Sequence, residues 1–142
     1  MLDIYTNIQE LFETLVKKNK KVILFGAGGH AMLWINKINQ NIWYLCDYWK
    51  TQAYIEEEPE YPYPYKPIEE FIDCIVDNDN EKWGQDFCIN DRIFQIKKAE
   101  YLNDINPDAY IILIVTDKYE TEIKEQLERI DNLKTTPCYS FI

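Results

Sequence analysis

The stretch Lys21-Val22-Ile23-Leu24-Phe25-Gly26-Ala27-Gly28-Gly29-His30-Ala31 constrains the fold more than any other part of the chain. An apolar run without polar alternation is the pattern of a strand buried on both faces of a parallel sheet. Here it stops at glycines, and the helix-compatible residues Met32-Leu33-Trp34-Ile35 follow. The spacing Gly26-x-Gly28-x-x-Ala31 fits the strand-to-helix turn that binds dinucleotides, in which alanine can replace the third glycine. A side chain at the turn would block the bend and hold a phosphate off the backbone. Gly26, Ala27, Gly28, Gly29 and His30 are therefore candidates for anion binding, through the unpaired amides and positive dipole end of a new helix.

With 142 residues there is room for one domain, spanning residues 1–142, with a proper core. A 46% apolar and 28% charged composition reads as globular. No apolar run approaches the ~18–20 residues of a membrane helix. Met1-Leu2-Asp3-Ile4-Tyr5 lacks the basic start and apolar heart of a secretion signal, so the expectation is a cytoplasmic protein without a membrane partner. Twenty-five acids against 15 bases give a net charge of −10, which disfavours nucleic acid as partner. A nucleotide stays possible, because a helix start binds phosphate through backbone dipoles. The basic run Lys17-Lys18-Asn19-Lys20-Lys21 reads as a solvated helix end. Cys46, Cys74, Cys88 and Cys138 form no C-x-x-C pair, and one histidine adds little, so neither metal nor disulfide is expected.

In chain order, residues 3–18 predict an amphipathic helix from Ile4, Ile8, Leu11, Phe12, Leu15 and Val16, capped by Asp3 or by a Thr6/Gln9 capping box. Residues 42–47 leave two readings open. Ile42–Cys46 could be a strand ending at Asp47, or the helix could continue on the beat of Ala31, Ile35, Ile38, Ile42, Leu45 and Trp49. Prolines at alternating places make Tyr54–Pro67 neither helix nor central strand, a lid, an arm for a partner or second copy (residues 54–67), or a plain loop. Strands are expected at Phe71–Asp77, Arg92–Ile96 and Tyr110–Val115, with a polar turn around Gly84 and a short helix at 97–105 before Asn106-Pro107. Thr116 and Asp117 read as caps of a helix bearing Ile123, Leu127 and Ile130, with Glu120 at capping-box spacing. Pro137–Ile142 suits a last edge strand. This alternation predicts an α/β fold: a mainly parallel open sheet with helices on both faces, ligands gathering at the strands' carboxyl ends. Gly26–His30, Asp77–Asp79 and Thr116–Asp117 are three such ends.

Together these residues resemble a family of small Rossmann-like domains in bacterial surface-polysaccharide and sugar-nucleotide proteins. The resemblance rests on Lys20–Gly28, on Val76-Asp77-Asn78-Asp79 with Lys82-Trp83-Gly84, and on Glu122-Ile123-Lys124-Glu125-Gln126-Leu127. Gly26–Ala31 is also similar to the opening of the nucleotide-sugar-binding domain of sugar O-acyltransferases. The match covers most of the chain outside about residues 40–70, which become a Tyr/Pro-rich insertion, and it places the second strand at Phe71–Asp77. It implies a nucleotide, nucleotide-sugar or NAD(P) ligand, with Asp77 and Asp79 as candidates for the ribose hydroxyls; Asp47 takes that place if Ile42–Cys46 is the strand. Lys82 and Thr116 complete the candidate binding set, and His30 is the one catalytic candidate. Tyr-x-x-x-Lys, Gly-x-x-x-x-Gly-Lys-Ser/Thr and Gly-x-Ser-x-Gly are all absent. The expected role is a nucleotide-binding module of surface-glycan metabolism. A small NAD(P)- or sugar-nucleotide-dependent enzyme and an interaction protein without ligand are the alternatives, and S-adenosylmethionine is a further ligand class such turns accept.

Overall fold

A computed structural model describes residues 4–5, 7–56 and 63–141. The strands are β1 (Ile4–Tyr5), β2 (Lys21–Phe25), β3 (Ile72–Asp77), β4 (Asp86–Ile89), β5 (Arg92–Lys98), β6 (Tyr110–Ile114) and β7 (Cys138–Ser140). The helices are α1 (Ile8–Lys17), α2 (Ala31–Ile55) and α3 (Glu120–Glu128), joined by 3-10 turns at Ile68–Glu70, Ala99–Asn103 and Asp131–Leu133.

The strands form one sheet in the order β1-β7-β6-β2-β3-β5-β4, parallel throughout except for the β4–β5 hairpin. Apolar side chains alternate between its two faces, which explains the unbroken apolar runs. Val22, Leu24, Ile111 and Leu113 join the core under α1 and α2, whereas Ile23, Phe25, Ile112 and Ile114 join Ile123, Leu127, Leu102 and Leu133 on the opposite face. Helical elements thus cover both faces of a mainly parallel α/β sheet, as the alternation of elements predicts.

Several boundaries differ from the sequence reading. Ile4 belongs to a strand, and α1 starts only at Ile8, where the Glu10 amide donates to the side chain of Asn7 at 3.1 Å. Asn7, between Thr6 and Ile8, is the cap; Asp3 and Thr6 lie outside the described residues. Leu11, Phe12 and Leu15 are buried, and Phe12 lies on Trp49 of α2 at 6.3 Å between ring centroids. Asn19, with φ 51°, turns the chain out of α1 towards β2 in the left-handed conformation common after a helix.

The open question at residues 42–47 is resolved in favour of the helix. Ala31, Ile35, Ile38, Ile42 and Cys46 are the buried face of a 25-residue α2, and neither glycine nor proline interrupts residues 31–58. Asp47 is therefore an exposed residue within a helix and ends no strand, whereas Asp77 ends β3. Of the stretch expected as an insertion, residues 40–55 are helical, 57–62 lie outside the described residues, and 63–67 carry no regular structure. Tyr54 and Ile55 are the last helical residues rather than the start of an extended arm.

The strand β4 is absent from the sequence reading. It pairs with β5 across the two-residue turn Asn90-Asp91, with Asn90 at φ 54°. Glu69, only 6% exposed, accepts from Asn39 Nδ2 of α2 at 2.8 Å and Asn90 Nδ2 at 2.6 Å, tying helix and hairpin together. Residues 99–103 form a 3-10 turn in place of the expected helix. The last strand, β7, lies inside the sheet between β6 and β1 and not at its edge. None of the four cysteines is in a disulfide, and burial pushes the thiols of Cys74 and Cys138 up to about 11 and about 12.

Candidate functional site

The first long strand, β2, lies between β3 and β6, so the three adjacent parallel strands deliver their carboxyl ends to one place. Gly26 follows β2 with φ +119°, a conformation that side-chain-bearing residues rarely adopt, and its amide donates to the Val76 carbonyl at 2.9 Å. A Cβ there would lie 3.3 Å from Thr116 Cβ, so the turn after β2 presses on the residue following β6. By contrast, a Cβ on Gly28 or Gly29 would meet nothing within 4 Å. Their glycine character leaves open space above the backbone without easing any strain.

Asp77 organises the β3 end. Its Oδ2 accepts from the Ala27 amide at 2.7 Å and its Oδ1 from the Asp79 amide at 2.8 Å. Lys82 Nζ stands 3.8 Å from Oδ2, and Trp83 Nε1 donates to the Asp77 carbonyl at 2.8 Å. Trp83 therefore fixes the turn, and Lys98 lies over its ring at 5.1 Å. Asp79 accepts in turn from the Glu81 amide at 3.0 Å. The side chains of Asn78 and Gln126 exchange two hydrogen bonds, at 2.7 and 3.0 Å, joining this turn to α3.

The result is a cleft of about 390 Å³, within the size range of small-molecule sites. Gly26, Gly28, Asp77, Asp79, Lys82 and Thr116 of the candidate set line it. Asn78, Tyr119, Glu122 and Ile123 line it too, and the sequence reading did not name them as site residues. Glu122 and Tyr119 sit at and before the first turn of α3, so the helical register of Ile123 and Leu127 could have placed them on the sheet's carboxyl side. Ala27, Gly29 and His30 are not part of the lining.

Two expectations are revised here. The Ala27 amide is already bonded to Asp77, so the open donors of the turn reduce to Gly28, Gly29 and His30, whose amides have no acceptor among the described residues. Asp117 does not cap α3. Tyr119 takes the cap position without a side-chain bond, and Glu120 accepts from Ser140 Oγ at 3.0 Å and pairs with Lys124. Asp117 instead reaches to the turn after β2, its Oδ2 3.2 Å from Nδ1 of His30. His30 thus has the orienting carboxylate that the sequence did not name, although both side chains are largely exposed.

The hydrogen bond from His30 holds the Asp117 carboxyl below the usual aspartate range. A folded-state pKa depressed in this way favours the folded form above the unfolded pKa, and the effect is lost as pH falls through the folded value. At so exposed a pair the effect on stability is screened away, and the titration itself is the measurable quantity. His30→Ala is expected to return the Asp117 titration upward into the ordinary range, followed by carboxyl-carbon NMR; an unmoved titration would show that the pair does not form in solution.

The cleft carries three carboxylates, Asp77, Asp79 and Glu122, against the single cation Lys82. The groups that could offset this acidity towards an anion are the open amides at the start of α2, where His30 makes no side-chain cap. Among the described residues no group of three or more His, Cys, Asp or Glu side chains is arranged to hold a metal. None of the described helices is long and apolar enough to cross a membrane. The fold and cleft define an α/β domain with a small-molecule-sized cleft at the carboxyl ends of its parallel strands. Compared with family models, with curated proteins and with solved structures, the chain matches none.

Proposed function

We propose that the chain is a Rossmann-like binding module for a nucleotide or nucleotide-sugar, serving surface-glycan metabolism in a bacterial cytoplasm. The observation that carries this reading is the meeting of Gly26, Gly28, Asp77 and Thr116 around one cleft at the ends of three adjacent parallel strands, next to the open amides of Gly28, Gly29 and His30. Leaving out the two-residue β1 and the antiparallel β4, β5-β3-β2-β6-β7 repeats the 3-2-1-4-5 order of dinucleotide-binding sheets, whose ligands sit where the strand order reverses. The connection from β3 to β5 departs from that plan, because it runs through the β4 hairpin in place of a helix.

In this reading a phosphate rests on the amides of Gly28, Gly29 and His30. The ribose diol donates to Asp77, whose two oxygens each hold one amide and keep room for a second donor. Lys82 offsets the excess of acid beside the phosphate. One observation favours a second reading, a small enzyme on the same ligand: His30, oriented by Asp117, stands beside the phosphate amides as a general acid or base would.

Titration calorimetry of the chain with UDP, a UDP-sugar, NAD, NADH, coenzyme A and S-adenosylmethionine tests the module. One of the nucleotides is expected to bind with one-to-one stoichiometry. Heat from none of them would remove the proposal, and turnover that survives His30→Ala would remove the second reading.

A further inference from the structure

We propose that the outward side of the C-terminal half of α2 is a self-association surface, on which a second copy of this chain lays its own α2 antiparallel about a two-fold axis. The inference stands apart from the cleft, at the strands' carboxyl ends. Over its 25 residues α2 carries only Lys37, Asp47 and Lys50 as charged side chains, in a chain that is 28% charged with a net charge of −10. Yet Trp43, Tyr44, Tyr48, Tyr54 and Ile55 are between 49% and 85% exposed. Aromatic enrichment with depletion of charge is the compositional mark of an interface core, and contiguous exposed apolar surface on a helix calls for a cover.

The inner side of α2 is taken by Ile35, Ile38, Ile42 and Cys46. On the outer side Trp43, Asp47, Lys50 and Tyr54 are all exposed and follow one another at intervals of four, three and four residues. That interval places them on one stripe, with the geometry of a helix-packing seam. The stripe is its own complement. In an antiparallel pair with the axis between positions 48 and 49, position 43 of one copy faces 54 of the other, and 47 faces 50. Trp43 then meets Tyr54 and Asp47 meets Lys50, each twice, as a closed two-fold interface requires. Among the described residues neither Asp47 nor Lys50 has an ionic partner within its own chain.

A groove of about 300 Å³ runs beside the stripe, bounded by Trp43, Cys46, Pro64 and Tyr65, and offers a seat for an aromatic ring of the opposite copy. The charge pattern selects a second copy over a foreign partner. A strongly acidic or basic partner gains nothing from a stripe whose two charges cancel, whereas two chains of −10 repel over most of their surfaces and can approach on this neutral one.

Sedimentation and light scattering of the full chain across the micromolar range test the proposal. The wild type is expected to dimerise. Asp47→Lys alone and Lys50→Asp alone each place like charges opposite one another twice, and each is expected to weaken the dimer at least about tenfold. An equimolar mixture of the two variants restores opposite charges at every pairing and is expected to re-form a dimer as tight as wild type. Both side chains are exposed, so circular dichroism should show unchanged folds. A monomeric wild type, single variants that dimerise normally, or a mixture that stays monomeric would each overturn the proposal.

Discussion

Gly26→Val is expected to destabilise the fold by about 2–3 kcal/mol, lowering the melting temperature by about 5–10 °C. Two effects act together. A φ of +119° is a region that a β-branched residue avoids, and the new Cβ would sit 3.3 Å from Thr116 Cβ. Thr116 cannot yield easily, because the chain just before it is fixed by the Val115 amide donating to the Phe25 carbonyl at 3.0 Å. Relief by moving the turn would break the Gly26 amide bond to Val76. Chemical denaturation checks the magnitude, and a loss below about 0.5 kcal/mol would mean that the turn does not take the described shape.

The same measurement on Gly28→Ala separates fold from function. Nothing lies within 4 Å of a Cβ at this position, and its φ is not in the left-handed region. Stability should therefore stay within about 0.5 kcal/mol of wild type, while a ligand resting on the Gly28 amide would meet the new methyl group. Lost nucleotide binding with unchanged stability assigns Gly28 to the ligand. Unchanged binding reduces the turn to a connector.

This distinction marks the limit of what the sequence makes legible. The strands β2 and β6 are plain in it, because a strand buried on both faces has no polar alternation. Asp77 as a strand-ending acid is equally plain. The length of α2 is not, since Ile42–Cys46 is apolar and aromatic enough to satisfy both a strand and the buried face of a helix. The strand β4 hides because Phe87 and Cys88 are only partly buried or exposed and the turn at Asn90 lacks a glycine. Least legible are contacts between residues far apart in the chain. The bond from Ala27 to Asp77 spans 50 residues and that from His30 to Asp117 spans 87. Both follow from neighbouring strand ends, so they become visible only once the sheet order is known. The capping-box spacing of Asp117 and Glu120 misleads for the same reason, as each side chain bonds a residue distant in the chain.

Asp77→Ala is expected to weaken nucleotide binding by more than about 100-fold while destabilising the fold by about 1–3 kcal/mol. The stability loss follows from the donors left behind. The Ala27 amide is part-buried and would lose its acceptor, whereas the Asp79 amide is exposed and can turn to water. Lys82 would also lose its counter-charge at 3.8 Å. The binding loss has a different origin. Two ribose hydroxyls donating to one ionised carboxylate make charge-assisted bonds of about 1.5–3 kcal/mol each, and about 1.4 kcal/mol is a factor of ten in affinity. Asp77→Asn distinguishes the two effects. Its single carbonyl oxygen can keep the Ala27 amide, so most of the stability returns, but the amide nitrogen cannot accept a second hydroxyl. Calorimetry should then show binding still reduced at least about tenfold in a protein of nearly normal melting temperature. Full affinity in Asp77→Asn would assign Asp77 to the scaffold of the turn and move the ribose contact to Asp79 or Glu122, the other carboxylates lining the cleft.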